Sequence, residues 1–357
     1  MLTFPSVLSR LSYVTAVASL VCLASMTQAQ AQQNPGGVLE RVKVHGKSLE
    51  GNLSGDSPDR DVSVYLPPSY ASSAGKRYPV IYMLHGFTDS DDKWMGPTKH
   101  WINLPTLLDR SAAAGTSQEF IVVMPNAYTR FHGSMYSSSV TTGDWESYVA
   151  KELVAWVDGR YRTLASRESR GIAGHSMGGY GAMRIGMKHP DVFSSVYLLS
   201  PCCLAPTRGA AQPTEGPHPA QLVKNDEEFQ KAPFGVKAVI AGAAAWAPNP
   251  KNPPFYLDMP TKDGTPQPEV LARLTANALL TQLDQYIYAL RQLNGFAFDA
   301  GDKDAGIAET VRLMHARLEA YGVPHQSAIY EGDHVNRVGV RIETEMLPFF
   351  SKLLRRE

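Results

Sequence analysis

A glycine-flanked serine is the residue whose surroundings most clearly predict chemistry. Ser176 stands within the segment Gly-His-Ser-Met-Gly-Gly of residues 174–179, which fits the pattern GxSxG. A serine on a sharp turn between a strand and a helix needs neighbours this small, and the amides at the start of the helix then face any oxyanion that forms. An apolar segment precedes the turn and a helix-like segment follows it. We therefore predict that Ser176 is a nucleophile.

A serine hydroxyl at neutral pH needs a base, and the base needs an acid to orient it, in the chain order Ser, Asp or Glu, His. His334 follows a strand-like segment and precedes the last helix, so we predict that it is the base. Three carboxylates, Asp299, Asp302 and Asp304, follow the start of an earlier strand. We favour Asp304 as the acid, because Asp299 still belongs to the strand end. The alternative is that Asp302 and Asp304 only cap the next helix.

Two backbone amides are expected to stabilise negative charge on a substrate carbonyl oxygen. One belongs to Met177, directly after the predicted nucleophile. The other belongs to Phe87, in the loop after a strand that ends at Leu84. Together they form the predicted oxyanion hole.

Three aromatic side chains near this edge, Trp94, Phe131 and Tyr136, are candidates for the wall of a substrate pocket. Phe131 and Tyr136 belong to a loop that follows another predicted strand, and an ordinary long loop explains them equally well. Trp94 ends the acidic segment 88–94, and packing beneath that segment is its alternative role. We interpret the segment as a solvated loop and not as a calcium site, because it lacks the glycine and the final glutamate of an EF-hand.

Strand-like and helix-like segments alternate along the chain, which predicts an α/β fold with a central, mostly parallel sheet and helices on both faces. Continuous apolar runs at residues 80–84, 120–124 and 195–199 are typical of strands buried on both faces. The stretch 201–294 is much longer than a usual crossover within a unit of about 30 residues. It is therefore an insertion before the acid-bearing strand, and its role as a lid or as decoration is open.

The first 31 residues have the pattern of a signal peptide. Arg10 is their only charge, residues 11–23 are mainly apolar, and residues 29–31 offer small side chains at a cleavage point. Polar residues interrupt the apolar stretch before the roughly 18 residues that a membrane span needs. We predict a secreted or periplasmic protein with no stable membrane anchor, whose catalytic domain spans residues 32–357.

The composition limits the classes of molecule that this chain is expected to bind. The chain has 357 residues, 43% of them hydrophobic, and 34 basic against 34 acidic side chains. It can bury a large core, and its balanced charge gives no field that attracts nucleic acid. We therefore expect a neutral substrate, either a small molecule or a group carried on a polymer. The histidines form no paired ligand motif such as HExxH, so no metal or cofactor is expected, and His315 and His325 are interpreted as structural or solvated.

Several stretches together resemble the esterase D family of α/β-hydrolases: residues 65–70, 77–86, 143–146, the serine turn through residue 193, and 331–334. In that family the acid typically follows a glycine by three positions, which corresponds here to Gly301 and Asp304. The resemblance implies an α/β-hydrolase fold and a serine carboxylesterase that works through an acyl-enzyme. The family contains feruloyl and acetyl-xylan esterases. It also contains S-formylglutathione hydrolases, which are thioesterases, and mycolyltransferases, so a thioesterase and a secreted acyltransferase are the alternatives.

Overall fold

Eight strands form one central sheet. The structure is a computed structural model that describes residues 36–356 apart from 97–101, 207–211 and 214; the predicted signal peptide lies outside the described residues. The strands are β1 (Val38–His45), β2 (Asp59–Leu66), β3 (Val80–Leu84), β4 (Ile121–Pro125), β5 (Arg170–His175), β6 (Ser195–Leu199), β7 (Gly295–Gly301) and β8 (Gln326–Tyr330).

The spatial order of the strands is β1-β2-β4-β3-β5-β6-β7-β8. β2 is antiparallel to both of its neighbours, and the other neighbouring pairs are parallel. Every residue of β3, β4 and β6 is buried, because helices cover both faces of the sheet. The predicted α/β fold is confirmed, and the apolar run at 120–124 corresponds to β4 with a shift of one residue.

The longer helices outside the insertion are α1 (Leu104–Ala113), α2 (Trp145–Ser147, continued by a π-helical stretch Tyr148–Leu153 and by Val154–Arg160), α3 (Met177–Lys188) and, near the carboxyl end of the chain, Ala305–Ala320 and Leu347–Leu353. Short helices lie at Ser69–Ser72 and Val338–Arg341, the latter joined to Leu347–Leu353 by a π-helical stretch at Ile342–Met346. Single 3₁₀ turns occupy Lys47–Leu49, Asp91–Trp94 and Arg167–Ser169. Among the described residues, no helix combines the length and the apolar character that crossing a membrane requires.

The segment between β6 and β7 is helical and packs on the loops at the carboxyl edge of the sheet. Its helices are Pro219–Leu222, Asp226–Lys231, α4 (Phe234–Trp246), α5 (Pro268–Asn277), Leu279–Gln282, a 3₁₀ turn Leu283–Tyr286 and Ile287–Leu290. Trp246 at the end of α4 packs its ring 5.4 Å from that of Tyr180 and donates a hydrogen bond of 3.0 Å to Ser137. The helix Ala305–Ala320, hereafter α6, follows β7 and precedes β8.

Candidate active site

Ser176 occupies a strained turn between β5 and α3. Its φ of 58° and ψ of −117° lie in a region that residues with side chains rarely adopt. The two flanking glycines of the motif allow the turn. A Cβ on Gly174 would lie 2.3 Å from the backbone of Gly178, and a Cβ on Gly178 would lie 2.1 Å from the carbonyl oxygen of Leu84. The Ser176 amide donates to the carbonyl of Leu199 at 3.0 Å, which ties the turn to β6.

Ser176, His334 and Asp304 meet in one hydrogen-bonded row. The Ser176 hydroxyl lies 3.0 Å from His334 Nε2, and His334 Nδ1 lies 2.5 Å from Asp304 Oδ2. An ionised carboxylate can only accept, so Nδ1 carries the proton and Nε2 offers its lone pair to the serine. The side chains of His334 and Asp304 are 36% and 17% exposed. The structure thus brings together the three residues that the sequence reasoning selected.

The other two carboxylates near Asp304 have different partners. Asp299 lies within β7 and pairs with Arg341 at 2.9 Å, while Asp302 accepts the amide of Gly332 at 3.0 Å. Burial raises the pKa of the Asp299 carboxyl. Asp304 stands at the N-cap position of α6, but its side chain makes no capping hydrogen bond. Helix capping therefore does not account for the Asp304 side chain.

The loop after β3 passes directly beside the serine. A Cβ on Gly86 would lie 3.4 Å from the Cβ of Ser176, so the next amide, that of Phe87, belongs to a residue adjoining the serine. Met177 begins α3, and its side chain meets that of Phe87 at Gly133, where a Cβ would lie 2.6 Å from the Met177 sulfur and 2.8 Å from the Phe87 ring. That their amides form an oxyanion hole stays a prediction.

His85 fixes the position of this loop. Its Nδ1 donates to the carbonyl of Gly86 at 2.8 Å, and its Nε2 accepts the amide of Ala127 at 2.8 Å. Burial lowers the pKa of His85 to about 4, so the ring is neutral at pH 7. The residue joins the loop after β3 to the loop after β4.

A buried lysine, Lys93, and a second histidine, His175, form a chain of hydrogen bonds that reaches the backbone of His334. The sequence analysis did not identify this role for either residue. Lys93 is 2% exposed; its Nζ lies 2.9 Å from Asp89 Oδ2 and 2.6 Å from His175 Nδ1. Because the ammonium donates to Nδ1, His175 Nε2 carries the proton, and it donates to the His334 carbonyl at 2.7 Å. Burial and the Lys93 cation hold the pKa of His175 well below its usual value, so its ring is neutral.

The interpretation of the acidic segment 88–94 as a solvated loop is wrong in part. Asp89, Asp91 and Lys93 are at most 7% exposed, and Asp91 accepts hydrogen bonds from Ser63 and Arg41. The spacing of Asp89 and Lys93, four residues apart and just after the predicted oxyanion loop, is the sequence signal for this ion pair.

The three aromatic pocket candidates are also corrected. The side chains of Trp94, Phe131 and Tyr136 are 0% exposed and pack in the two hydrophobic clusters, so none offers surface to a substrate. Tyr136 donates to the His85 carbonyl at 3.2 Å, and Trp94 belongs to the same buried cluster as Ile81 and Leu104. Side chains that do line an open cavity of about 460 Å³ next to the Phe87 loop are Arg60, Thr88, Asp89, Ser90, Asp92, Lys93, Asn126 and Tyr128.

Comparison with known proteins finds similar sequences. The family model described as "Putative esterase" matches residues 57–338. The protein "Esterase Rv1288" of Mycobacterium tuberculosis is 34% identical over 136 residues, which are 38% of this chain and 27% of that protein. An endo-1,4-beta-xylanase/feruloyl esterase of Xylanibacter ruminicola is 33% identical over 141 residues, or 39% of this chain and 19% of that protein. The alignments thus span about a quarter or less of these curated relatives.

Solved structures support the fold. A ferulic acid esterase superposes with a TM-score of 0.64 at 22% identity, over 90% of this chain and 99% of its own. The fluorophosphonate-binding serine hydrolase FphF of Staphylococcus aureus does so with a TM-score of 0.58 at 17% identity, over 90% and 100%.

The strand order defines the class of the fold as an α/β-hydrolase, and Ser176 lies within hydrogen-bond distance of His334. Since the family model covers most of the chain, the chain belongs to the esterase family. The resemblance to the esterase D family seen in the sequence is thereby confirmed, and the curated relatives carry the names esterase and feruloyl esterase.

Proposed function

We propose that the protein is a secreted serine carboxylesterase that hydrolyses carboxylic esters through an acyl-enzyme on Ser176. The observation that carries the proposal is the row of hydrogen bonds from Asp304 through His334 to Ser176 at the carboxyl edge of the sheet. The partly exposed His334 ring leaves this row open to a substrate. No metal or cofactor takes part in the proposed chemistry.

In the first half of the proposed reaction, His334 Nε2 takes the hydroxyl proton while Ser176 Oγ attacks the ester carbonyl carbon. The amides of Met177 and Phe87 hold the tetrahedral oxyanion. Asp304 stabilises the imidazolium that forms, and its contact of 2.5 Å with Nδ1 keeps Nε2 facing the serine. The carbon–oxygen bond to the alcohol then breaks, and His334 gives its proton to the leaving alcohol.

In the second half, His334 takes a proton from water as the water attacks the acyl-enzyme. Collapse of the second tetrahedral intermediate releases the carboxylic acid and returns the proton to Ser176 Oγ. The neutral His175 keeps the backbone of His334 in place through its hydrogen bond to the His334 carbonyl. The Lys93 ammonium forms an ion pair with Asp89, and it has no role in the proposed proton transfers.

The substrate is proposed to be a neutral ester met outside the cytoplasm. The signal-peptide pattern of the first 31 residues supports this location. Relatives named feruloyl esterase support an aromatic acyl group. The thioesterase and acyltransferase alternatives use the same three residues and differ only in leaving group or acceptor.

The triad is tested by kinetics with p-nitrophenyl acetate. Ser176→Ala, His334→Ala and Asp304→Ala should each lose most of kcat with wild-type thermal stability. Asp302→Asn is the matched control, because it lies in the same loop and keeps an acceptor for Gly332. A fluorophosphonate should label the wild type and not Ser176→Ala. Labelling that persists in Ser176→Ala would show that another residue is the nucleophile.

The substrate class and the location need separate measurements. Rates of hydrolysis measured with acetyl, feruloyl, longer-chain and thioester substrates should show which acyl and leaving groups the enzyme prefers. Product analysis with added sugar acceptors should show free acid and no transfer product. Transfer exceeding hydrolysis would favour the acyltransferase. N-terminal sequencing of protein recovered outside the cytoplasm should begin near residue 32, and an uncleaved chain confined to the cytoplasm would overturn the secreted assignment.

A further inference from the structure

Three side chains of metal-ligating type meet at the edge of the molecule away from the proposed active site. His315 and Glu319 lie four residues apart on α6 and so share one helix face, and His325 directly precedes β8. One ligand atom from each lies within 4.8 Å of the others. Asp304 stands at the other end of α6, about 16 Å along the helix axis from His315. This cluster is therefore separate from the triad.

The spacing of the three ligand atoms is near that of a metal site. His315 Nδ1 lies 2.8 Å from His325 Nε2, and Glu319 Oε1 lies 3.9 Å from the same nitrogen. Zinc bonds of about 2.0–2.2 Å in a tetrahedron place neighbouring ligand atoms about 3.3–3.6 Å apart. The separation between His315 and His325 must widen by about half an ångström and that between Glu319 and His325 must shorten by about as much, which small side-chain rotations on an exposed helix face allow. The third separation, between His315 and Glu319, lies within 4.8 Å.

His325 is held in the orientation that a ligand needs. Its side chain is 1% exposed, and its ring stacks on Phe298 with 5.3 Å between centroids and 9° between planes. Its Nδ1 lies 2.8 Å from the carbonyl of Val323, which can only accept, so Nδ1 carries the proton. The Nε2 lone pair therefore points toward His315. A metal-binding histidine commonly donates its other ring N–H to a backbone carbonyl in this way.

We propose that His315, Glu319 and His325 bind a divalent metal ion, with Zn²⁺ the best fit and water completing the coordination. Two imidazoles and one carboxylate suit zinc and its neighbours Ni²⁺ and Cu²⁺, whereas Ca²⁺ and Mg²⁺ prefer ligands that are all oxygen. The ion would replace the proton now shared between His315 Nδ1 and His325 Nε2. It would join the end of α6 to the start of β8, the two elements whose opposite ends carry the acid loop and the base loop. Its role is then stabilisation and not catalysis.

Isothermal titration of the metal-free protein with Zn²⁺ tests the site. The wild type should bind one ion, and His315→Ala and Glu319→Gln should weaken that binding by at least about 10- to 100-fold, the loss that removal of even an outer partner causes. Glu319→Gln is the second variant because its side chain is 65% exposed and the change does not disturb packing. His45→Ala is the matched control: this exposed histidine also contacts two carboxylates, but through opposite ring nitrogens, which one ion cannot join.

Cobalt provides a readout that packing alone would not change. Co²⁺ added to the wild type should give the visible absorption of a low-coordinate site, and His315→Ala should lose it. Zn²⁺ should raise the melting temperature of the wild type and of His45→Ala, and should not raise that of Glu319→Gln. Absence of stoichiometric Zn²⁺ binding by the wild type, or binding that persists unchanged in both His315→Ala and Glu319→Gln, would overturn the proposal. Hydrolysis of p-nitrophenyl acetate does not enter this test, so its outcome is independent of the proposed function.

Discussion

Replacement of Asp304 by asparagine tests the triad at its acid, the residue for which the sequence offered three neighbouring carboxylates. The carboxylate accepts from His334 Nδ1 at 2.5 Å and so leaves Nε2 free to take the serine proton. An asparagine amide that donates to Nδ1 would place the ring proton on Nε2, in the wrong tautomer for a base. We expect kcat to fall by about 10⁴-fold, as such a substitution does in a Ser-His-Asp site. At about 1.36 kcal/mol per tenfold change, this loss corresponds to about 5.5 kcal/mol of transition-state stabilisation.

The assay is steady-state hydrolysis of p-nitrophenyl acetate, with the melting temperature measured on the same samples. Asp302→Asn is the control, because Asp302 bonds the backbone of Gly332 and not the histidine. It should keep activity within a few-fold of wild type. If Asp304→Asn retained more than a tenth of the wild-type kcat while folding normally, another carboxylate would have to orient His334, and the reasoning from the hydrogen-bonded row would be refuted.

Three further results are expected. Lys93→Met removes the cation of a buried ion pair and should lower the free energy of unfolding by about 3–5 kcal/mol, whereas Lys43→Met, at an exposed pair, should cost less than about 1 kcal/mol in urea denaturation. Gly178→Ala places a Cβ 2.1 Å from a backbone oxygen and should destabilise by at least about 1–3 kcal/mol, while Gly159→Ala meets nothing within 4 Å and should be tolerated. His85 has a pKa lowered from 6.5 to about 4, so the unfolded chain alone binds its proton as the pH falls through that range. Up to about 3 kcal/mol of stability should be lost between pH 6.5 and 4, and His85→Gln should flatten that part of the stability profile.

Local backbone requirements allowed the central strands and the serine turn of this protein to be predicted from its sequence. Only small residues fit beside a serine at positive φ, so the glycines of the turn marked Ser176 without any knowledge of its neighbours in space. Strands buried on both faces must be continuously apolar, which located β3 and β6 to the residue. Chain order then selected His334, and the end of β7 separated Asp304 from Asp299.

Tertiary packing decided what local pattern could not. Phe131 and Tyr136 follow a strand toward the active edge, yet both are buried because the inserted helices and the loop after β3 cover them. The spacing of Asp89 and Lys93 is compatible with an ion pair, but the burial of that pair and its contact with His175 are decided by the fold. His315 and His325 are ten residues apart, outside any spacing that a metal motif describes, and come together only because α6 packs on the sheet and returns the chain to β8. Contacts between elements that are distant in sequence depend on how these elements pack against one another. The residue types within one element do not determine that packing.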